Sequence, residues 1–516
     1  MAWSYDRARE RIHEAVATIP QVRVETFDAY LPRVRALNET RGEAPQADMV
    51  RDLGQGDAVL VDTVQVYVNV INYNDMRLEA GQETEASHGR ALSFLHVHYA
   101  ALDRASEGAG AQRVDFHGPR MHTVFPVAVP DDGGYQEAVR QALRLARETV
   151  ELSAAGSRDI VRSQVQPQFR IGIDIGRCVA VDSGRKGERE PLFIGSAANH
   201  AAKLAEGDQP GIYLSDRVRS LFGQMSVGGL AFERRSVLSG ADASRLLRDG
   251  FAEDTERVSR KIEAMREDLR AHRDATIGSD GFVFHPQTLP LRGIDYAALR
   301  PSNSVRMAMA SIFADLDGYT AYVDRAVATG GVADAVRDLH LIRGELNAVL
   351  QDDFKGRKVR FIGDCLHGLI AAGEGSQTHL ARTVELATAC AGGIRSSFDL
   401  CLEQLPTANA LGLAIGCEVG PTPVSRIGIR GERSVRVASS VATLVSEQIQ
   451  RDCDGRQTRL GPEALRHASS ETKRLFDDQG LGTDLDYDAV ALQSAVAATA
   501  AGGVQEPVGE GRHYAA

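Results

Sequence analysis

The sequence predicts a mixed α/β (α+β) protein built from two like halves. Three observations predict it. The chain has 516 residues, too many for one ordinary domain and comfortable for two or three. Strand-like apolar runs ending in Asp, Asn or Gly are followed by helix-like stretches. Landmarks then recur in the same order at a nearly constant offset. Tyr67–Asn72 answers to Met309–Asp315, Val114–Gly118 to Val359–Gly363, the strand ending at Gly172 to Leu413–Gly416, and Gly187-Glu188-Arg189 to Gly431-Glu432-Arg433. This repetition is of domain size, not solenoid size.

In chain order, residues 1–50 read as a helical N-terminal extension of mixed charge. The first half spans 51–250. In it Ala58–Asp62 is a short buried segment, Tyr67–Asn72 a strand, Phe169–Gly176 a strand ending in glycine, and Asn199–Ala205 a helix. A connector covers 251–300. Glu253–Ala275 is helix-like with a charged face, equally a plain linker or a coupling helix, and Ile277–Pro301 is loop. The second half spans 301–480. From 481 to 516 a flexible tail is expected, Ala- and Gly-rich after Asp488.

Hydrophobic residues make up 43% and charged residues 25%, the ordinary globular range. The formal net charge is -11, which disfavours non-specific nucleic-acid binding but leaves room for a local anion site. Six cysteines form no C-x-x-C pair and suggest free thiols in a reducing compartment. No secretory signal is visible, so none is expected, and no apolar run reaches the roughly 18 residues a membrane span needs. A cytoplasmic monomer without membrane or nucleic-acid partners is expected.

The chemistry concentrates first after residue 300. In Phe313-Ala314-Asp315-Leu316-Asp317-Gly318-Tyr319-Thr320 a strand presents Asp315 at its end. Gly318 lets the next turn tighten so that backbone N–H groups of Leu316, Asp317, Gly318, Tyr319 and Thr320 face an anion, with a helix start behind them. Asp317 itself reads as structural or as a backbone donor. Val359-Arg360-Phe361-Ile362-Gly363-Asp364-Cys365 reads as a hairpin with an acid at its tip. Two carboxylates on adjacent strand ends, Asp315 and Asp364, suit two Mg²⁺ or Mn²⁺ ions and substrate phosphates.

Together these motifs resemble the class III adenylyl and guanylyl cyclases, over roughly residues 55–240 and 300–480. The resemblance implies two class III cyclase-like domains, each a central, mostly antiparallel sheet flanked by helices, packed as a pseudo-dimer. It implies Asp315 and Asp364 as ligands of two divalent metal ions. The family also needs an Asn that orients the ribose and an Arg that stabilises the α-phosphate in the transition state. In the second half those positions count to Thr443 and Glu447, which cannot do this. In the first half Gly195-Ser196-Ala197-Ala198-Asn199-His200-Ala201-Ala202-Lys203 supplies Asn199 and, in place of Arg, Lys203, four residues apart on one helix face. The first half lacks the acids: Asn72 is aligned with Asp315, and Pro119 with Asp364. One composite site is therefore expected, and a second cleft that is catalytically dead. Arg426 is a further candidate for the β- and γ-phosphates.

In the family, residues on the Asn-bearing half read the base, Lys and Asp in adenylyl cyclases, Glu and Cys in guanylyl cyclases. Here they are Asp115 and Leu192, which disfavours adenine. A small slip of register brings Arg113 or His117 to the first position instead. A carboxylate accepts N3–H of uracil, the amino group of cytosine, or N1–H and the amino group of guanine. The sequence further resembles bacterial pyrimidine cyclases of anti-phage signalling. That implies cyclic UMP or cyclic CMP as product, with an effector protein downstream in antiviral defence; UTP, giving 3′,5′-cyclic UMP and pyrophosphate, is the expected substrate because its N3–H is a donor matched to a single carboxylate. GTP, CTP and a catalytically silent nucleotide sensor are the alternatives. A diguanylate-cyclase-like enzyme is a further alternative, and the absence of a Gly-Gly-Asp/Glu-Glu-Phe stretch argues strongly against it.

Overall fold

A computed structural model of the chain describes residues 3–40, 50, 53, 54, 56–158, 165–182, 191–223, 238, 251–272, 281–428 and 434–493. The two Gly-Glu-Arg repeats, at 187–189 and 431–433, lie outside these residues.

The two halves form separate sheets of matching order. In the first, β3 (Gln112–His117), β4 (Arg120–Val127), β2 (Asp57–Val70), β5 (Phe169–Asp182) and β6 (Pro191–Ile194) lie side by side and antiparallel. β1 (Arg23–Thr26) pairs in parallel with β2, and β7 (Gly211–Leu214) with β5. In the second sheet β10 (Arg357–Ile362), β11 (Cys365–Ile370), β9 (Ser304–Asp317) and β14 (Gly412–Ile427) repeat the order. β8 (Phe284–His285), β15 (Val435–Ala438), β16 (Gln457–Leu460) and β17 (Leu481–Thr483) complete it, and β12 (Gly373–Glu374) pairs with β13 (Gln377–Thr378) beside it. The central strands are long because they are rich in β-branched and apolar residues. Val59, Val61, Val64, Val66, Val68 and Val70 of β2 are all buried.

Helices Glu85–Ser106 and Asp132–Gly156 cover the first sheet, around a core that includes Leu95, Phe125 and Ile173. Tyr319–Thr329, Val332–Ala348 and Leu380–Gln404 cover the second, around Ile312, Leu346 and Phe398. Two glycines set how closely a helix approaches a central strand. A Cβ on Gly172 would lie 2.1 Å from the Ala201 carbonyl oxygen, and one on Gly416 2.2 Å from that of Ser446. Side chains are excluded at both places, and the helices Ser196–Leu204 and Val441–Arg451 lie directly on the backbone of β5 and β14.

The ends of the chain are more integrated than the sequence suggests. Residues 1–50 are not only helical, since β1 joins the first sheet. Helix Tyr5–Thr18 packs on the second half, with Trp3 buried and its Nε1 donating to Ser397 Oγ at 2.8 Å. Arg11 pairs with Glu345 at 2.6 Å and Arg7 with Asp353 at 3.1 Å. At the other end β17 and helical residues 487–493 extend the order past 480, and Tyr487 packs against Trp3. The connector helix Phe251–His272 is docked on the first half: Lys261 Nζ donates to Glu148 at 2.8 Å and to the Ala105 carbonyl at 2.9 Å. Among the described residues no helix is long and apolar enough to cross a membrane, and all six cysteines are free thiols.

Candidate active site

The two halves face each other across a cleft of about 2350 Å³. Asp315 stands near the end of β9, opposite Ala414 of β14. Gly363, at φ +62°, and Asp364 make the two-residue turn between β10 and β11, closed by the pair Ile362 and Cys365. Because β11 pairs with β9 at Leu366 and Ala314, this turn carries Asp364 to the end of β9 beside Asp315. The Leu316 N–H lies by the Asp364 carboxylate, and the Cys365 and Gln450 side chains lie by Asp315, each favouring the charged acid.

Both acids open onto the cleft but sit deep within protein. Burial pushes Asp315 up to about 6, against the pull of Arg451. Burial and then the neighbouring charge of Asp315 push Asp364 well above the carboxylate range, against Arg343. Two desolvated acids that repel one another are a poor arrangement by themselves and a good one around a divalent cation. No group of three or more His, Cys, Asp or Glu side chains that could hold a metal occurs among the described residues. The pair therefore suits ions that take one or two carboxylates and complete their shell with backbone oxygen, water and substrate phosphate.

Gly318, at φ +81°, caps the helix Tyr319–Thr329 and turns the chain so that the first helical N–H groups face the cleft. The Tyr319 ring is buried, its hydroxyl donating to the Ala335 carbonyl, so this residue offers only its backbone. The Asp317 carboxylate accepts the Gly455 N–H at 3.1 Å and braces the loop.

The first half meets this loop with the helix Ser196–Leu204. The Ser196 N–H donates to Asp324 Oδ1 at 3.0 Å, and the Asn199 amide donates to Thr320 Oγ1 at 3.2 Å. Lys203, one turn further along, lines the same cleft. Asn199 and Lys203 thus line one cleft with Asp315 and Asp364, from the other half. Leu192, on β6 opposite Val181, and Asp115, on β3, line the cleft too. Asp115 is ion-paired with Arg360 of the second half. The alternatives raised by a register slip are engaged elsewhere: Arg113 pairs with Asp103 at 3.0 Å, and His117 faces Glu447 at 3.4 Å.

The structure corrects three assignments. Cross-strand register puts Asn69, not Asn72, at the counterpart of Asp315: Asn69 stands two residues past the partner of Gly172, as Asp315 does past that of Gly416. Asn72 lies beyond β2 and bonds to Gln166 and Gln168. The counterparts of Asn199 and Lys203 are Leu444 and Gln448, one residue on from Thr443 and Glu447, because Ser440 caps its helix where Gly195 caps the other. β14 is continuous, and Arg426 lies opposite Arg436, twelve residues and roughly 40 Å along the strand from Ala414. It lines the same cleft, at the end away from the acids. Pro119 does occupy the turn position of Asp364, between His117 and Arg120.

At the counterpart surface the two halves are bonded to each other. The Tyr73 hydroxyl bonds to Ser439 at 3.0 Å, Arg77 donates to the Ser440 carbonyl at 2.7 Å, and Glu83 accepts the Val441 N–H at 2.6 Å. Glu447, by contrast, lines the same cleft as Asp315 and Asp364, where it contacts Arg120, His117 and Arg451. Burial works against its charge, but these cations outweigh burial and hold it well below the carboxylate range.

Reading the sequence missed Gln450, Cys365, Asp324, Arg360 and Tyr67. Tyr67 stacks on His122, ring centroids 4.1 Å apart, and feels the charges of both Asp115 and Asp364. Only its place at the counterpart of Phe313 could have signalled it.

No family model matches the chain. A uridylate cyclase from a Rhizobium species is 42% identical over 504 residues, 95% of this chain and 95% of that protein. A uridylate cyclase from Pseudomonas aeruginosa is 36% identical over 494 residues, 94% of this chain and 90% of that protein. The crystal structure of a class III adenylyl cyclase-like ATP-binding protein from Pseudomonas aeruginosa superposes with a TM-score of 0.84 at 33% identity, covering 96% of this chain and 99% of that one. Likeness of this degree, over both halves and the connection between them, places the chain in the uridylate cyclase family of class III nucleotidyl cyclases.

Proposed function

We propose that the chain converts UTP to 3′,5′-cyclic UMP and pyrophosphate at one composite site. The carrying observation is that Asp315 and Asp364 of one half and Asn199 and Lys203 of the other line a single cleft. Two divalent ions, Mg²⁺ or Mn²⁺, held by Asp315 and Asp364, would supply the charge that activates the ribose 3′-hydroxyl and polarises the triphosphate. The chain's own groups do the rest. The N–H groups of Gly318–Thr320 receive phosphate oxygens at the helix start. Asn199, released from Thr320, orients the ribose so that the 3′-oxygen meets the α-phosphorus in line. Lys203 offsets the charge that builds there as pyrophosphate leaves. Asp115 accepts uracil N3–H, and Leu192 supplies an apolar wall.

The enzyme acts as a cytoplasmic monomer, away from membranes and nucleic acids. Its cyclic product is a second messenger for an effector in antiviral defence, in keeping with the pyrimidine-cyclase resemblance. Incubation with ATP, GTP, CTP and UTP and Mn²⁺, with products identified by mass spectrometry, tests this. Cyclic UMP is expected to dominate. Cyclic AMP as the main product would overturn the roles of Asp115 and Leu192, and the ATP-binding neighbour makes that arm informative. No cyclic product from any triphosphate would favour a silent sensor.

A further inference from the structure

Asp115 and Arg360 are the same position in the two halves: each stands four residues before the turn residue, Pro119 or Asp364. Both follow a bulge, between Arg113 and Asp115 in β3 and between Lys358 and Arg360 in β10. A bulge re-aims the side chain that follows it. Here the two bulges turn the two side chains toward each other across the interface. Arg360 Nη1 donates to Asp115 Oδ1 and to the Phe116 carbonyl, and Nη2 donates to the Arg436 carbonyl at 2.9 Å. The guanidinium is thereby held on three sides with its side chain only 10% exposed, while that of Asp115 remains 30% exposed, toward the cleft.

We propose that Arg360 is a positioning residue that sets base specificity, by occupying one oxygen of Asp115 and leaving the other as a single acceptor for the base. This rests on the reading of Asp115 given above. A free carboxylate offers two oxygens side by side. That matches guanine, whose N1–H and amino group are adjacent donors, as a bidentate partner. The Arg360 guanidinium takes one lone pair of Oδ1 and crowds that oxygen, which leaves Oδ2 as the one unengaged oxygen. Uracil presents one N–H flanked by two carbonyls and needs no more. The amino group of guanine would be left without its partner, and an unmet donor in a closed site is costly. A metal-half residue thus chooses between bases read by the other half.

The test is kcat/KM for UTP, CTP and GTP in the wild type, Arg360→Met, Arg360→Lys and Asp115→Asn, with melting curves for each. Arg360→Met is expected to raise the GTP-to-UTP ratio about tenfold or more, through KM rather than kcat. Arg360→Lys, which keeps a charge but not the fork, is expected to move it part of the way. If Asp115→Asn alters the ratios while both Arg360 variants leave them at wild-type values, the proposal is overturned. If Asp115→Asn leaves the preference for UTP intact, the reading of Asp115 fails and takes the proposal with it. Should Arg360→Met not fold, Arg360→Lys decides. Should the wild type cyclise nothing, the proposed function fails, and affinities for 3′-deoxy-UTP and 3′-deoxy-GTP, measured by calorimetry in wild type and Arg360→Lys, decide this proposal by the same ratio.

Discussion

Asp364→Asn is expected to abolish turnover and yet stabilise the metal-free protein at neutral pH. Asp315 is raised to about 6 from an ordinary 3.8, and Asp364 is raised further still. A shift of two units corresponds to about 3 kcal/mol, an upper bound because the cleft lets in solvent. The sign follows from linkage. A carboxyl whose folded-state pKa is raised favours the folded state below about pH 4, and that contribution is lost as pH rises through 6. At pH 8 without metal both acids are charged and repel. Replacing Asp364 by an amide removes the repulsion while keeping an oxygen by the Leu316 N–H. For halves of this size 1 kcal/mol moves the melting point by roughly 2–4 °C. The assay is a melting series in chelator and in Mn²⁺ at pH 5 and pH 8. In chelator at pH 8 the variant melts several degrees above wild type, and at pH 5 the gap narrows. Mn²⁺ stabilises the wild type much more than the variant. A variant less stable than wild type in chelator at pH 8, or equally stabilised by Mn²⁺, would refute the reasoning.

Three further outcomes are expected. Asn199→Ala lowers kcat for UTP by about 100-fold, of the order seen when one transition-state group is lost, with a smaller change in KM; full activity would remove Asn199 from the site. Glu447→Gln leaves Arg120 and Arg451 without their shared carboxylate and destabilises the chain by about 3 kcal/mol at pH 7. Since the Glu447 pKa is depressed, its stabilising effect is present above about 4.5 and fades as pH falls, so chemical-denaturation curves of variant and wild type converge in acid. Trp3→Ala costs about 3–5 kcal/mol, read by circular dichroism during denaturant unfolding. Trp3 is the only tryptophan, so in the wild type its fluorescence reports undocking of the N-terminus from the second half.

The errors in reading the sequence have a common origin. Asn72 was reached by extending a strand-like run, whereas the position opposite β5 that answers to Asp315 is Asn69. Thr443 and Glu447 were reached by counting through a loop that hid one residue, and the cap at Ser440 restores the count. Arg426 is a phosphate candidate along the chain, but β14 runs on without a turn and carries it far from the acids. In each case residues were counted along the chain, while equivalence is set across it by strand register, and register depends on partners far away in sequence.

What the sequence determined is local. Glycines at 318 and 363 fix the two turns that expose Asp315 and Asp364, because those backbone angles belong to the residue itself. The four-residue step from Asn199 to Lys203 puts both on one helix face for the same reason. The tertiary structure decided that Asn199 meets Thr320 of the other half, while at the counterpart surface Tyr73 and Arg77 bond to Ser439 and Ser440. It also decided that Asp115 reaches Arg360, in the other half. Those contacts come from packing two diverged copies face to face, and no stretch of either copy alone encodes what the other will present to it.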